Sequence, residues 1–253
     1  MSNYKPYFRY LKDMNMKMVA IFVTILFINT ALSIFGTVQS AHIQDGAINF
    51  ASQCSVVGGM VCIGVGFFYS FSLFTSTMSI KADRVGYLKA SLLWGLALAV
   101  GLALFSSVFD VLCKVILEGW TGMSVKVYSE MRWIQMGRLQ AATDIISRIT
   151  SNMALFSLAF SVGAIWYRLK IKTSVILFLI IPVAFTTYGV NFGMRNPERI
   201  EQILDAITGP ILFVITNPGI FTGVKIVAII AFTLIGVRLL IKAPIKDYAN
   251  DLI

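Results

Sequence analysis

Six predominantly apolar blocks dominate this chain. They run Met18–Val38, Cys54–Ser76, Ser91–Phe109, Asn152–Tyr167, Thr173–Val190 and Val224–Ile241. Each is close to the ~20 residues that an α-helix needs to cross the hydrocarbon core of a bilayer. A backbone in lipid must satisfy its own hydrogen bonds, so blocks of this length fold as spanning helices. The reading is all-α, a polytopic membrane protein of six transmembrane helices, with residues 1–253 forming one transmembrane domain.

Composition agrees. Hydrophobic residues make up 57% and charged residues 13% of the 253, against about 25% charged in soluble domains. The net charge of +9 fits loops facing anionic lipid, and no basic run with interleaved aromatics points to nucleic acid. Cys54, Cys62 and Cys113 lie in or beside apolar blocks and read as small packing residues. Val38 and Ser40 are spaced like a signal-peptidase site, but the segment before them is long for a signal peptide.

Charge sets the orientation. With both termini inside, the inner segments hold Lys5, Arg9, Lys12, Lys17, Lys81, Arg84, Lys89, Arg168, Lys170, Lys172, Arg238, Lys242 and Lys246. The longer outer segments hold only Lys114, Lys126, Arg132, Arg138, Arg148, Arg195, Arg199 and Lys225. The positive-inside rule then places both termini in the cytoplasm of a cell-membrane protein.

Local patterns refine the picture. Tyr4, Tyr7, Phe8 and Leu11 share one helical face, and Lys5, Arg9 and Lys12 another. This predicts an interfacial helix lying on the inner membrane surface; the plainer alternative is a frayed tail. Gly58, Cys62, Gly66 and Ser70 recur every fourth residue, as do Ser91, Gly95, Ala99, Ala103 and Ser107. Small stripes let helices approach closely in lipid, so spans two and three are expected to pair as a tight hairpin, static or sliding. Outside, Asp110–Ser151 contains an amphipathic helix through Met131, Ile134, Ala142, Ile145 and Ile149. Asn196–Gly219 opens with a helix-start signal and holds a short apolar piece. Both are expected to cap the outer mouth.

The hairpin tip reads TMSIKADRVGYLKA. On a helix, Ile80, Asp83, Arg84 and Tyr87 share a charged and aromatic face, opposite Met78, Ala82, Val85 and Lys89. That face suits docking on a soluble partner; the alternative is a solvated basic turn.

Catalytic patterns are missing. There is no HExxH, no GxSxG, no paired-cysteine metal spacing and no glycine-lysine pair for a phosphate loop, and the single histidine, His42, cannot build a histidine-based metal cluster. The chain is therefore expected to have no catalytic site, no metal and no cofactor of its own. Asp110, Lys114, Lys225 and Arg238 sit near span ends, and Arg238 and Lys114 can snorkel to an interface. Asn29, Thr186, Thr187 and Tyr188 are buried-polar candidates, either bonded to a neighbouring helix or lining a pathway.

The chain resembles the permease subunits of the ABC-2 family of ATP-driven exporters, most of all short bacterial permeases that export peptides. The segment SFSLFTSTMSIKADRVGYLKASLLWG carries the likeness, with Arg84, the Tyr87-Leu88 pair and Ala90 at matching places and departures at Lys81 and Val85. Tyr167-Arg168 is similar to the aromatic-arginine end of the family's span four. The resemblance implies a coupling helix through Ile80, Lys81, Asp83, Arg84 and Tyr87 that contacts a separate ATP-binding subunit. That subunit would hold the ATP and magnesium. It also implies a second permease copy or paralogue, an N-terminal helix with contacts from Arg9 and Lys12, outer gate helices, and an amphipathic or hydrophobic cargo. The rival readings are an ATPase-independent channel or structural membrane protein, and an intramembrane enzyme, for which no acid, His or Ser constellation assembles.

Overall fold

The computed structural model describes residues 5–41, 48–51, 54–79, 83–122, 125–129, 132–133, 138–169 and 216–244, with short stretches between 173 and 214. The long helices are α1 (Lys5–Ala41), α2 (Cys54–Phe68), continued through a π-helical turn at Tyr69–Leu73 into α3 (Phe74–Ser79), then α4 (Arg84–Thr121), α5 (Arg138–Arg168) and α6 (Pro218–Ile241). Among the described residues, five helical stretches are long and apolar enough to cross a membrane: Pro6–Leu32, Cys54–Met78, Arg84–Trp120, Ala142–Arg168 and Gly219–Ile241. The protein is a multi-pass helical membrane protein.

Several expected boundaries disappear. The N-terminal amphipathic segment and the first span form one continuous helix, α1, about 55 Å long at 1.5 Å per residue. The loop helix merges likewise into α4, and the expected amphipathic helix is cut: its part from Arg138 on, with Ala142, Ile145 and Ile149, merges into α5, whereas Arg132–Trp133 within its expected length form a strand. A small sheet interrupts the helical pattern. β1 (Ile48–Ala51) pairs in parallel with β2 (Val125–Ser129), and β2 turns back antiparallel to β3 (Arg132–Trp133). The sheet joins the α1–α2 connection to the α4–α5 connection. Gly122 ends α4 at φ 65°, its N–H donating to the Glu118 carbonyl at 3.0 Å. Only glycine takes this left-handed cap without penalty. The fifth block and the expected gate helix after Asn196 fall mostly outside the described residues.

Side-chain contacts fix the relative directions. Phe8 meets Trp94 and Phe27 meets Phe109, so α1 and α4 run parallel. Lys225 meets Ser147 and Ser151 at one end, and Tyr167 meets Pro244 at the other, so α5 and α6 also run parallel. The N-terminus of α1 and the C-terminus of α6 lie at the same end, called here the terminal end; the sheet lies at the far end.

The core centres on α5, not on a hairpin of the second and third spans. A Cβ on Gly66 would come within 2.5 Å of the Phe156 carbonyl oxygen, and one on Gly95 would strike the Phe156 ring. Gly58, in contrast, faces α4 near Leu102 and Ser106, and Cys62 and Ala99 are fully buried. The two stripes thus form a shared cradle for α5, with Gly163 answering from α5 against Ser70 and the Phe67 backbone. Gly66→Ala is expected to lower stability by about 1–3 kcal/mol, because the clash is with backbone that cannot rotate away. A thermal unfolding curve in detergent reads this out.

Candidate functional site

Two polar constellations stand out in an otherwise apolar bundle. The first is at the terminal end. Asp83 caps α4: its carboxylate accepts from the Val85 and Gly86 N–H groups, both at 3.1 Å, which satisfies two donors that a helix start leaves open. The Asp83 N–H in turn donates to the Tyr7 hydroxyl at 2.8 Å. Arg84 reaches across the bundle and donates through Nη1 to the Ile241 and Ala243 carbonyls at 2.8 and 2.7 Å. Arg168 donates to the Lys242 carbonyl at 3.1 Å, and the Tyr167 hydroxyl to the Pro244 carbonyl at 2.8 Å. Four carbonyls around the C-terminus of α6 are therefore held by side chains of α4 and α5. Cations placed there also complement the negative end of the helix dipole.

Tyr87 corrects the expected docking face. It is 0% exposed, with its ring edge-on to Phe74 and Tyr7 and its hydroxyl donating to the Tyr69 carbonyl at 2.8 Å. The cause lies in the π-turn. Widening the turn shifts the regular backbone bonding at Tyr69, and Tyr87 gives that carbonyl a buried donor. Ile80 and Lys81 lie outside the described residues. The two expected faces are mixed: Asp83 of the docking face is exposed, while on the face expected to rest on the bundle Met78 is buried but Lys89 is exposed and Val85 is 41% exposed.

The N-terminal prediction is right about the face and wrong about what covers it. Phe8 stacks on Trp94 at 4.6 Å, and the Trp94 indole donates to the Phe8 carbonyl at 2.8 Å. Leu11 is fully buried, while Arg9 and Lys12 are exposed. Tyr7, Phe8 and Leu11 therefore pack on the protein's own helices rather than on lipid. One turn on, buried Asn15 accepts from the Tyr69 hydroxyl. Hydroxyls along the π-turn and α3 bond back to their own helix, Ser70 to Gly66 at 3.0 Å and Thr75 and Thr77 to Phe71 and Leu73 at 2.6 Å. Such back-bonding bends helices, and the hydroxyl-rich run Ser70–Ser79 is the sequence signal for it.

The second constellation lies toward the far end and escaped the sequence reading. Arg148 on α5 pairs with Asp110 on α4 at 2.6 Å, their side chains 5% and 1% exposed. Beside it, Lys225 of α6 is 7% exposed. Its ammonium donates to Ser151 Oγ at 2.6 Å and Ser147 Oγ at 3.2 Å and sits 4.0 Å above the Phe221 ring. Asn152 donates to the Ala99 carbonyl at 3.4 Å. Cys54, at the start of α2, is hydrogen-bonded to Ser106 and lies within electrostatic reach of Asp110, Arg148 and Cys113. Asp110 and Lys225 thus belong to an internal cluster. Asp110 to Arg148 is a separation of 38 residues, and no periodicity links them.

The pathway candidates are described only in part. Thr186 and Thr187 are exposed and bond to the Pro182 and Val183 carbonyls of their own helix, and the Asn29 side chain lies outside the described residues. An apolar pocket of about 280 Å³ opens between α1 and α4, lined mainly by Val19, Val23, Trp94, Leu98, Leu102 and Phe105. Comparison with protein-family models, characterised proteins and solved structures returns no match.

Proposed function

We propose that this chain is the membrane-spanning permease subunit of an ATP-driven exporter. It would carry an amphipathic or hydrophobic cargo, with a peptide as the leading class, and be powered by separate ATP-binding subunits. In this reading the terminal end is cytoplasmic, as the loop charges require, and a second permease copy or paralogue completes the pathway. Six spans are part of the proposal. Parallel α5 and α6 need an odd number of crossings between them, which the fifth apolar block supplies.

The observation that carries the reading is the link from Arg84 to the Ile241 and Ala243 carbonyls. The turn between the second and third spans is tied to the end of the last described helix. A partner pressing on that turn acts on α4 directly and on α6 through Arg84. The side open to such a partner is Asp83, Val85 and Lys89, with Arg9 and Lys12 beside it on α1. The half-open pocket between α1 and α4 supports an apolar cargo entering from the bilayer.

The test is recovery of an ATP-hydrolysing partner from membranes by affinity purification of the tagged chain. Val85→Asp with Lys89→Glu is expected to reduce the recovered ATPase severalfold, since both side chains are exposed and their loss leaves the bundle contacts intact. Equal recovery from parent and variant, or no ATPase from either, refutes the coupling role.

A further inference from the structure

We infer that the Asp110–Arg148 pair and the Lys225–Ser147–Ser151 contacts form a reversible polar clasp. It holds the far ends of α4, α5 and α6 together, and its opening admits water down to Cys54 and Cys113. This inference concerns the chain alone and holds whether or not an ATP-hydrolysing partner exists.

Three observations support it. First, α5 is held at its far end between Asp110 of α4 and Lys225 of α6. A buried ion pair holds helices no better than a well-packed apolar seam would, and ionisable groups at membrane depth generally mark working parts. Second, the surfaces that meet there are wettable. Arg148 and Asn152 of α5 bond Asp110 and the Ala99 carbonyl of α4, and Ser147 and Ser151 of α5 bond Lys225 of α6, so water can replace these bonds when the helices part. Third, the seam changes character about two to four turns from Arg148 toward the terminal end. There Phe156 fills the space against Gly95 and Gly66, and Gly163 against Ser70. That packing is too close to admit water. The far ends can therefore separate about a closed middle, and Gly66, Gly95 and Gly163 mark the pivot.

The chain carries its own reporters. Cys54 and Cys113 are buried beside Asp110 at the clasp, and Cys62 is buried two turns deeper along α2. The experiment measures labelling by a water-soluble maleimide in lipid nanodiscs, which leave both membrane faces accessible. In the parent protein Cys54 and Cys113 should label slowly and Cys62 not at all. Asp110→Asn should speed labelling of Cys54 roughly tenfold or more, the factor that 1.4 kcal/mol of lost closure produces, with Cys62 still protected. Lys225→Met keeps the long apolar stem and removes the hydroxyl contacts. It should raise Cys54 labelling severalfold in a bundle that remains folded, and it decides the matter if Asp110→Asn does not fold. Unchanged Cys54 protection in the folded variants overturns the clasp. So does labelling of Cys62 at the same rate as Cys54, which would make the cluster a fastener of the whole fold.

Discussion

Replacing Arg148 by methionine, with Asp110 left in place, is expected to destabilise the folded protein by about 3–5 kcal/mol. The loss is not the worth of the ion pair. Asp110 has a 1% exposed side chain with the Arg148 guanidinium 2.6 Å away; replacing Arg148 removes that cation from a carboxylate that stays buried. Desolvating a charge costs several kcal/mol, and the pair repays this only while both members are present. The matched variant, Arg148→Met with Asp110→Leu, should recover most of the loss, because an apolar pair of similar size removes both the cost and the gain. Unfolding of the three proteins in detergent with increasing SDS measures the ordering. If the single variant is as stable as the double, the pair does not sit in a low-dielectric interior. The double variant also separates stability from motion. It should fold well yet hold its far end shut, with Cys54 more protected than in the parent.

Phe156→Ala is expected to cost a similar ~3–5 kcal/mol, the range for deleting a fully buried aromatic. Phe156 is 0% exposed. Its ring lies edge-on to Tyr69 at 6.2 Å and stacks near Phe160 at 6.0 Å, and it fills the space that Gly95 leaves. In lipid no hydrophobic effect draws helices together, so close packing carries much of the association. The void left by the ring would be lined by helices already at their closest approach, and little collapse can fill it. Gly95→Ala in the Phe156→Ala background puts a methyl group into that void. It should restore part of the thermal midpoint, whereas Gly95→Ala alone should lower it. Additive losses in the double variant would show that the two residues do not share the cavity.

The spans were legible because their signal is long and local. Block length and charge bias mark the membrane crossings without reference to any partner. The amphipathic face Tyr7–Phe8–Leu11 and the stripes Gly58–Cys62–Gly66–Ser70 and Gly95–Ala99 were legible for the same reason, since each is a helical period. The short strands were not. Four or five residues of Ile48–Ala51 and Val125–Ser129 give too little alternation to register, and their pairing joins segments far apart in the chain. The site was legible only in parts. Asp83 and Arg84, read from their placement as part of a docking face, bond within the bundle to Tyr7 and to the end of α6, Tyr87 points inward, and the Asp110–Arg148 pair left no trace in any local pattern.

By itself the sequence determined which stretches are long and apolar enough to cross a bilayer, which face of each helix is small or apolar, and which end gathers the positive charge. Hydropathy, periodicity and charge count are properties of single segments in a known solvent. The tertiary structure alone decided what lies against each face. It laid α1 along α4 where the pattern also fitted lipid, set Gly66 and Gly95 against Phe156 of α5, turned Tyr87 to the carbonyl at the π-turn, and brought Asp110 to Arg148. The physical reason is that a helical period records the kind of surface a helix offers and nothing about its occupant. A lipid tail and a leucine are equally apolar, and only shape and a buried hydrogen bond choose between them.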